Sequence, residues 1–328
     1  MPHHITIDQA ERVVLTRESL QRSRWKDRQI ARALTDSTLR RLQRNRYVLG
    51  AEWNDLWPES RHLLEVVAAF GEMRDGDAVA SHDSGAAVWA LPLYRHVPSE
   101  VHVTIPGGRH VPSRLGLRRH TDSLPNEDVT TVDGYRVTTL ERTAFDLART
   151  VSFEAAVAAA DAALRRFAFV NGIYDVDAAQ QWRDRMLARA ARAVGARGVR
   201  QAVEVIGIAD GRAESPAESV GRAQLIRLGF QRIGLQVVVR GPDGKRWWID
   251  IEIEDAKTFL EVDGASKYKD EALRSGRSLD DVILEEKRRE DWIRGTTQHR
   301  FVRADDKHVA TPEALAARLA AFGIRIPG

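Results

Sequence analysis

Cysteine is absent from the 328-residue sequence. That excludes disulfides, thiol nucleophiles, thiolate zinc sites and cysteine-held iron–sulfur clusters. No run of about 18 uncharged apolar residues occurs, so no segment reads as a membrane span. The opening MPHHITIDQAERVV lacks the basic-then-apolar layout of a secretory leader, and the simplest expected compartment is the cytoplasm. Neither a GxGxxG after a strand nor a GxxxxGK followed by Ser or Thr is present, so nucleotide-binding loops have no support. The 10 histidines show no HExxH or other metal-ligand spacing. Lysine is scarce: it supplies 7 of the 50 basic residues, and six of those seven lie at or beyond Lys245.

What is present describes a globular chain. Apolar residues at 43% and charged residues at 30% argue against disorder and against a fibre. At roughly 100–200 residues per domain the length predicts two or three domains. Composition separates three regions: 1–60, 61–209 and 210–328.

In the first region Ile30, Ala33 and Leu34 fit one helix face, and Leu39 and Leu42 fit a second. Thr35, Asp36 and Ser37 lie between them as turn and cap residues, and the strand-like RYVLG follows. Helix, tight turn, helix and strand is the order of a winged helix-turn-helix. Arg22 to Arg46 holds nine basic and two acidic side chains, a local net charge of +7. A patch of this kind neutralises phosphates, which makes DNA the expected partner. Arg40, Arg41 and Arg44 are expected on the second helix, facing the major groove.

The middle region alternates helical and strand patterns: a helix near Arg61–Phe70, the segment SHDSGAAVWALPL, the strand VHVTIP, the strand-like GLRRH, then GYRVTTL leading into the helix ERTAFDLART. Ser81 and Thr139 read as helix caps, and Arg142 with Asp146 as an i,i+4 ion pair. Alanine-rich helices then connect to the last region as scaffold. The basic N-terminal segment with RYVL, together with SHDSGAAVWALPL and GYRVTTLERTAFDLAR, resembles the AbiEi-type antitoxins of type IV toxin–antitoxin systems over about residues 1–150. The resemblance implies a DNA-binding regulator, with a nucleotidyltransferase-like toxin as a second partner.

In the last region SPAESVGRAQLIRLGF reads as a helix capped by Ser215, opened by Pro216 and ended by Gly229. KRWWIDIEI and TFLEVDG read as strands, which places Asp250 and Glu252 on one face with Glu261 and Asp263 beside them. Gathered carboxylates are costly to bury without a cation, and a hard ion such as Mg2+ (or Mn2+) suits an all-oxygen setting. Glu218 either completes such a shell or serves as the glutamate of an S-x-x-E capping box with Ser215. On the helix DDVILEEKRREDWIRG, Glu286 and Arg289 fall on the apolar face with Val282 and Ile293, which predicts a polar site beneath it.

SPAES, WIDIEI, FLEVDGASKY and EEKRRED resemble the PD-(D/E)XK nuclease fold. More narrowly, they are similar to a domain of unknown function that groups with very-short-patch-repair endonucleases, over about residues 213–305. The resemblance implies metal-binding roles for Glu218, Asp250 and Glu261 and a catalytic role for Asp250 and Glu261. Asp263, at the position where the family usually has its catalytic lysine, is counted with the catalytic residues; Lys287 or Lys267 is then expected to take the lysine's role, and Lys267 is also a candidate DNA contact.

The expected architecture is α/β multidomain: an N-terminal winged helix-turn-helix, a middle α/β region and a C-terminal restriction-endonuclease-like α/β domain. Two functions follow as expectations, a DNA-binding protein with a Mg2+-dependent endonuclease domain, or an AbiEi-like regulator whose nuclease fold is inactive. A protein scaffold using the carboxylate face has no positive signal in the sequence.

Overall fold

The computed structural model of the protein describes residues 2–73, 77–108, 112–263 and 278–327. The chain divides into two units: Met1–Ala159 with Met186–Glu204, and Ala160–Arg185 with Val205–Gly328.

Short polar side chains set the first helices. Thr6 and Gln9 close a capping box at α1 (Ile7–Val13), and Thr16 and Ser19 do the same at α2 (Arg17–Arg22), separated by the two-residue β1 (Leu15–Thr16). After a turn comes α3 (Asp27–Thr35), then an antiparallel hairpin of β2 (Leu39–Gln43) and β3 (Arg46–Leu49). β1 completes a three-stranded sheet in the order β1-β3-β2. Leu20, Ile30, Ala33, Leu39 and Tyr47 form the small core beneath it.

The hairpin corrects the expectation of a helix across Leu39 and Leu42. Two apolar residues three apart fit a helix or a short strand equally well. Asn45 decides for the hairpin by taking the left-handed conformation at its tip, with φ of 57°. That asparagine was the readable signal.

α4 (Gly50–Asn54) and α5 (Pro58–Phe70) lead into a mixed sheet. Its strands are β4 (Val79–Ala80), β5 (Val101–Thr104), β6 (Leu117–His120), β7 (Val129–Val132) and β8 (Tyr135–Thr138), in the order β6-β5-β4-β8-β7. α6 (His82–Val88) follows β4, and α7 (Leu140–Thr150) follows β8, opened by Thr139, whose hydroxyl accepts from the Arg142 N–H. Val66, Val67, Val79, Val103, Leu117 and Val137 are among the core residues of this layer.

The chain continues through α8 (Phe153–Ala168), the minimal hairpin β9 (Phe169–Val170) and β10 (Ile173–Tyr174), α9 (Val176–Arg192) and α10 (Val199–Ile208). The second unit is then built on α11 (Pro216–Arg227), β11 (Ile233–Arg240), β12 (Arg246–Ile253), β13 (Thr258–Asp263), α12 (Leu279–Thr297), β14 (Arg300–Asp305), α13 (Asp306–Val309) and α14 (Pro312–Ala321). The sheet runs β11-β12-β13-β14, antiparallel except for the parallel last pair. Gly229, with φ of 88°, ends α11 in the left-handed conformation that a side chain would resist. Leu225, Ile251, Leu260, Val302, Leu315 and Leu319 belong to one apolar cluster; Phe259, Ile293 and Phe301 belong to another.

Among the described residues no helix is long and apolar enough to cross a membrane.

Candidate functional sites

The basic N-terminal segment is a solvent-facing surface. α3 turns Ile30 and Ala33 inward and leaves Arg28, Gln29 and Arg32 exposed. Arg40 and Arg41 project from β2, and Arg44 sits in the turn at the hairpin tip; all three are exposed, on strand and turn rather than on the expected second helix. The Arg40 guanidinium stacks 4.1 Å from the Trp53 ring, which fixes its direction while the charge stays in water.

In the second unit the buried carboxylate of Glu261 meets cationic side chains of the protein itself. Glu261, on β13, is 2% exposed. Its Oε1 accepts from Arg289 Nη2 at 2.6 Å, and Arg303 Nη2 lies 3.6 Å from its Oε2. Arg289 also donates to Glu286 at 2.8 Å and to the Trp248 carbonyl at 2.9 Å, so a polar site does lie beneath α12. Burial raises the Glu261 pKa; Arg289 opposes this, and Asp250 and Glu286 add to it. β12 and β13 pair as far as Ile251 and Leu260, beyond which the Asp250 carboxylate accepts the Val262 N–H at 2.9 Å.

Glu218 lies on α11, where its N–H donates to the Ser215 hydroxyl at 3.2 Å. Its carboxylate accepts from the Glu214 N–H at 2.9 Å and from the Gln236 amide at 3.0 Å, so only the Ser215 half of the expected capping box forms. Glu252 instead pairs with His299 at 3.0 Å. Lys287 is exposed on α12. The side chain of Asp263 and all of Lys267 lie outside the described residues.

A guanidinium therefore stands beside Glu261, on the carboxylate where a divalent ion was expected. Among the described residues, sets of three donor atoms within 4.8 Å of one another occur in the first unit alone.

That unit has a polar interior. Arg142 on α7 donates Nε to both oxygens of Asp146 at 3.0 Å and Nη1 to Asp128 at 3.1 Å. Arg189 donates two further bonds of 2.6 Å to Asp128. The expected i,i+4 pair is thus present, but inside the protein and part of a four-residue network. Ser81 stands at the N-cap of α6 without capping it; its hydroxyl meets Thr104 Oγ1 at 2.9 Å and His82 Nδ1 at 3.1 Å. Asp83 accepts from His96 Nε2 at 2.8 Å.

His82 begins α6 with φ of 51° and stacks on His120 of β6, the ring centroids 3.8 Å apart. His102 of β5 lies 5.1 Å from His120. His102 Nδ1 and His120 Nε2 are buried without a hydrogen-bond partner, and a buried polar atom left in that state costs about 1–3 kcal/mol. No sequence spacing announced this cluster, because residues 82, 102 and 120 meet only through the pairing of β5 with β6 and the return of the chain into α6.

These histidines make the unit acid-sensitive. Burial lowers all three pKa values, and His102 is brought down to about 4 against the pull of Asp83. The folded state then refuses protons that the unfolded chain takes up below roughly pH 6.5. This stability is complete above that pH and is lost as pH falls toward 4. Asp146 acts in the other direction. Burial pushes its carboxyl up to about 6 despite Arg142, so its contribution is present at low pH and lost as pH rises. His96, raised by its bond to Asp83, acts in the same direction as Asp146; with three groups against two in this unit, urea unfolding followed by tryptophan fluorescence should show a falling midpoint from pH 6.5 to 4, and His102→Asn should flatten the slope. A wild-type midpoint constant over that range would contradict the assignment.

The AbiEi antitoxin C-terminal domain family matches residues 80–206, the span that holds the histidine cluster and the Arg142 network. Two Mycobacterium tuberculosis proteins, uncharacterized protein MT2308 of strain CDC 1551 and uncharacterized protein Rv2248 of strain H37Rv, are each 30% identical to this chain. The identity runs over 201 residues, 61% of this chain and 68% of theirs. The chain belongs to the family of these two proteins, and its residues 80–206 are similar to the AbiEi antitoxin C-terminal domain.

Proposed function

We propose that the protein is a DNA-binding regulator of the antitoxin type. The observation that carries this reading is the N-terminal order α1, β1, α2, α3, β2, β3 with its exposed face set with arginine, joined to an AbiEi antitoxin domain. That order supports reading the segment as a winged helix-turn-helix. In it α3 is the recognition helix, presenting Arg28, Gln29 and Arg32, and the β2–β3 hairpin is the wing, presenting Arg40, Arg41 and Arg44. A nucleotidyltransferase-like toxin is the expected protein partner.

Fluorescence anisotropy on the DNA upstream of the protein's own gene tests the reading. Binding should weaken steeply with salt, by a log–log slope of about −0.9 per neutralised phosphate. Arg40→Ala, Arg41→Ala and Arg44→Ala together should flatten that slope by about 2.7 if each side chain neutralises one phosphate. Arg28→Ala with Arg32→Ala should reduce discrimination between specific and random DNA. Chelator and Asp250→Ala should change neither. Binding that ignores salt and all five substitutions would refute the proposal.

A second reading, a Mg2+-dependent nuclease, draws support from Glu261, whose buried Oε2 lacks a hydrogen bond and whose pKa responds to Asp250. It requires Arg289 to leave Glu261. DNA cutting with Mg2+ or Mn2+ that is abolished by Glu261→Ala, with binding retained, would establish it; no cutting with either metal would dismiss it.

A further inference from the structure

Three imidazoles converge inside the first unit, and two of them carry a buried nitrogen with no hydrogen-bond partner. We propose that His82, His102 and His120 bind a divalent transition-metal ion of the zinc class, with Asp122 as the fourth donor. One ligand atom from each histidine lies within 4.8 Å of the others, and the same holds for His82, Asp122 and Asp146. A zinc ion with bonds of about 2.0–2.1 Å needs nitrogens roughly 3.3 Å apart, each ring plane containing the ion, so closing the shell requires His82 and His120 to turn out of their parallel stack toward a common point.

Each ring has a nitrogen not committed to a hydrogen bond among the described residues. His102 Nδ1 and His120 Nε2 are buried and unpartnered. His82 points Nδ1 at the Ser81 hydroxyl, which leaves Nε2 for an ion. Thr104 holds that hydroxyl in turn, the outer-shell arrangement that orients a ligating imidazole. Asp146 spends both oxygens on Arg142, whereas Asp122 follows β6 two residues beyond His120 and bears on its charge.

The setting also suits the ion chemically. Burial keeps the three rings neutral near pH 7, so binding displaces no proton from them. An imidazole-rich set selects zinc, cobalt, nickel or copper over magnesium. The donors come from β5, β6 and the first residue of α6, so the ion would tie the helix to the sheet edge.

Cobalt titration of the full chain tests the proposal, using His3→Ala with His4→Ala as background to remove the N-terminal histidine pair. One equivalent of Co2+ should produce visible bands of a four-coordinate nitrogen–oxygen site, and Zn2+ should erase them. His102→Ala and His120→Ala should each weaken binding by at least about tenfold, the lower end of what even outer-shell changes cost. His96→Ala should leave it unchanged. If the histidine variants do not fold, the parent protein decides the matter: Zn2+ should raise its unfolding temperature at concentrations where Mg2+ does not. No cobalt bands and no zinc-dependent shift, or equal binding by folded His102→Ala and His120→Ala variants, would overturn the site.

Discussion

Replacing Arg142 with methionine is expected to destabilise the first unit by about 3–5 kcal/mol, the usual effect of removing one partner from a buried ion pair. Arg142 is 6% exposed, and its guanidinium serves three acceptors: Asp146, Asp128 and the Ser123 carbonyl at 2.9 Å. Methionine fills the volume and serves none of them. Asp128 keeps its two bonds from Arg189, but Asp146, fully buried, loses the cation that bonds both its oxygens. Its carboxyl, already pushed up to about 6, would then be protonated at neutral pH. Adding Asp146→Leu should recover most of the loss, because an apolar pair of similar size often matches a buried ion pair. Urea denaturation of the single and double variants measures both effects. A loss below about 1 kcal/mol for Arg142→Met would mean the network is worth no more than a surface salt bridge.

Arg289→Ala should act comparably on the second unit. Glu261 would lose its 2.6 Å partner and keep only Arg303 at 3.6 Å. Glu286 would keep a 2.6 Å bond from Arg303, so the damage concentrates on Glu261. The residual pair places the expected cost near the lower end of about 3–5 kcal/mol at pH 7. The sign with pH is fixed by burial, which raises the Glu261 pKa and would raise it further without Arg289. The folded form then favours the protonated acid, so the variant should recover stability toward pH 5 and lose it toward pH 8. Glu261→Gln in the same background should restore stability at pH 7 and remove this dependence. An Arg289→Ala protein as stable as the parent at pH 7 would show that the guanidinium is not what neutralises Glu261.

Residues with strong local preferences were readable in advance. Ser215, Pro216 and Gly229 bound α11 as their chemistry demands, and Thr139 caps α7 as read. Alternation placed Ile249, Ile251 and Ile253 inside β12. The charge on the apolar face of α12 pointed to the polar contact that Arg289 makes with Glu261. Local preference failed at Leu39 and Leu42, where a hairpin replaces the expected helix and moves Arg40, Arg41 and Arg44 onto strand and turn. It also gave no sign that Ser81 would hold His82 rather than cap α6.

Composition and order along the chain were enough to exclude thiol chemistry, to mark a concentrated positive charge near the N-terminus and to bring the AbiEi resemblance into view. These depend on which residue types are present and on neighbours a few positions apart. Which cation meets Glu261, and which histidines meet one another, depended on strand pairing between segments tens of residues apart. Carboxylates on adjacent strands look the same in sequence whether an ion or an arginine from a later helix neutralises them. Three histidines spaced by about twenty residues look unrelated until two parallel strands and the start of α6 bring them together.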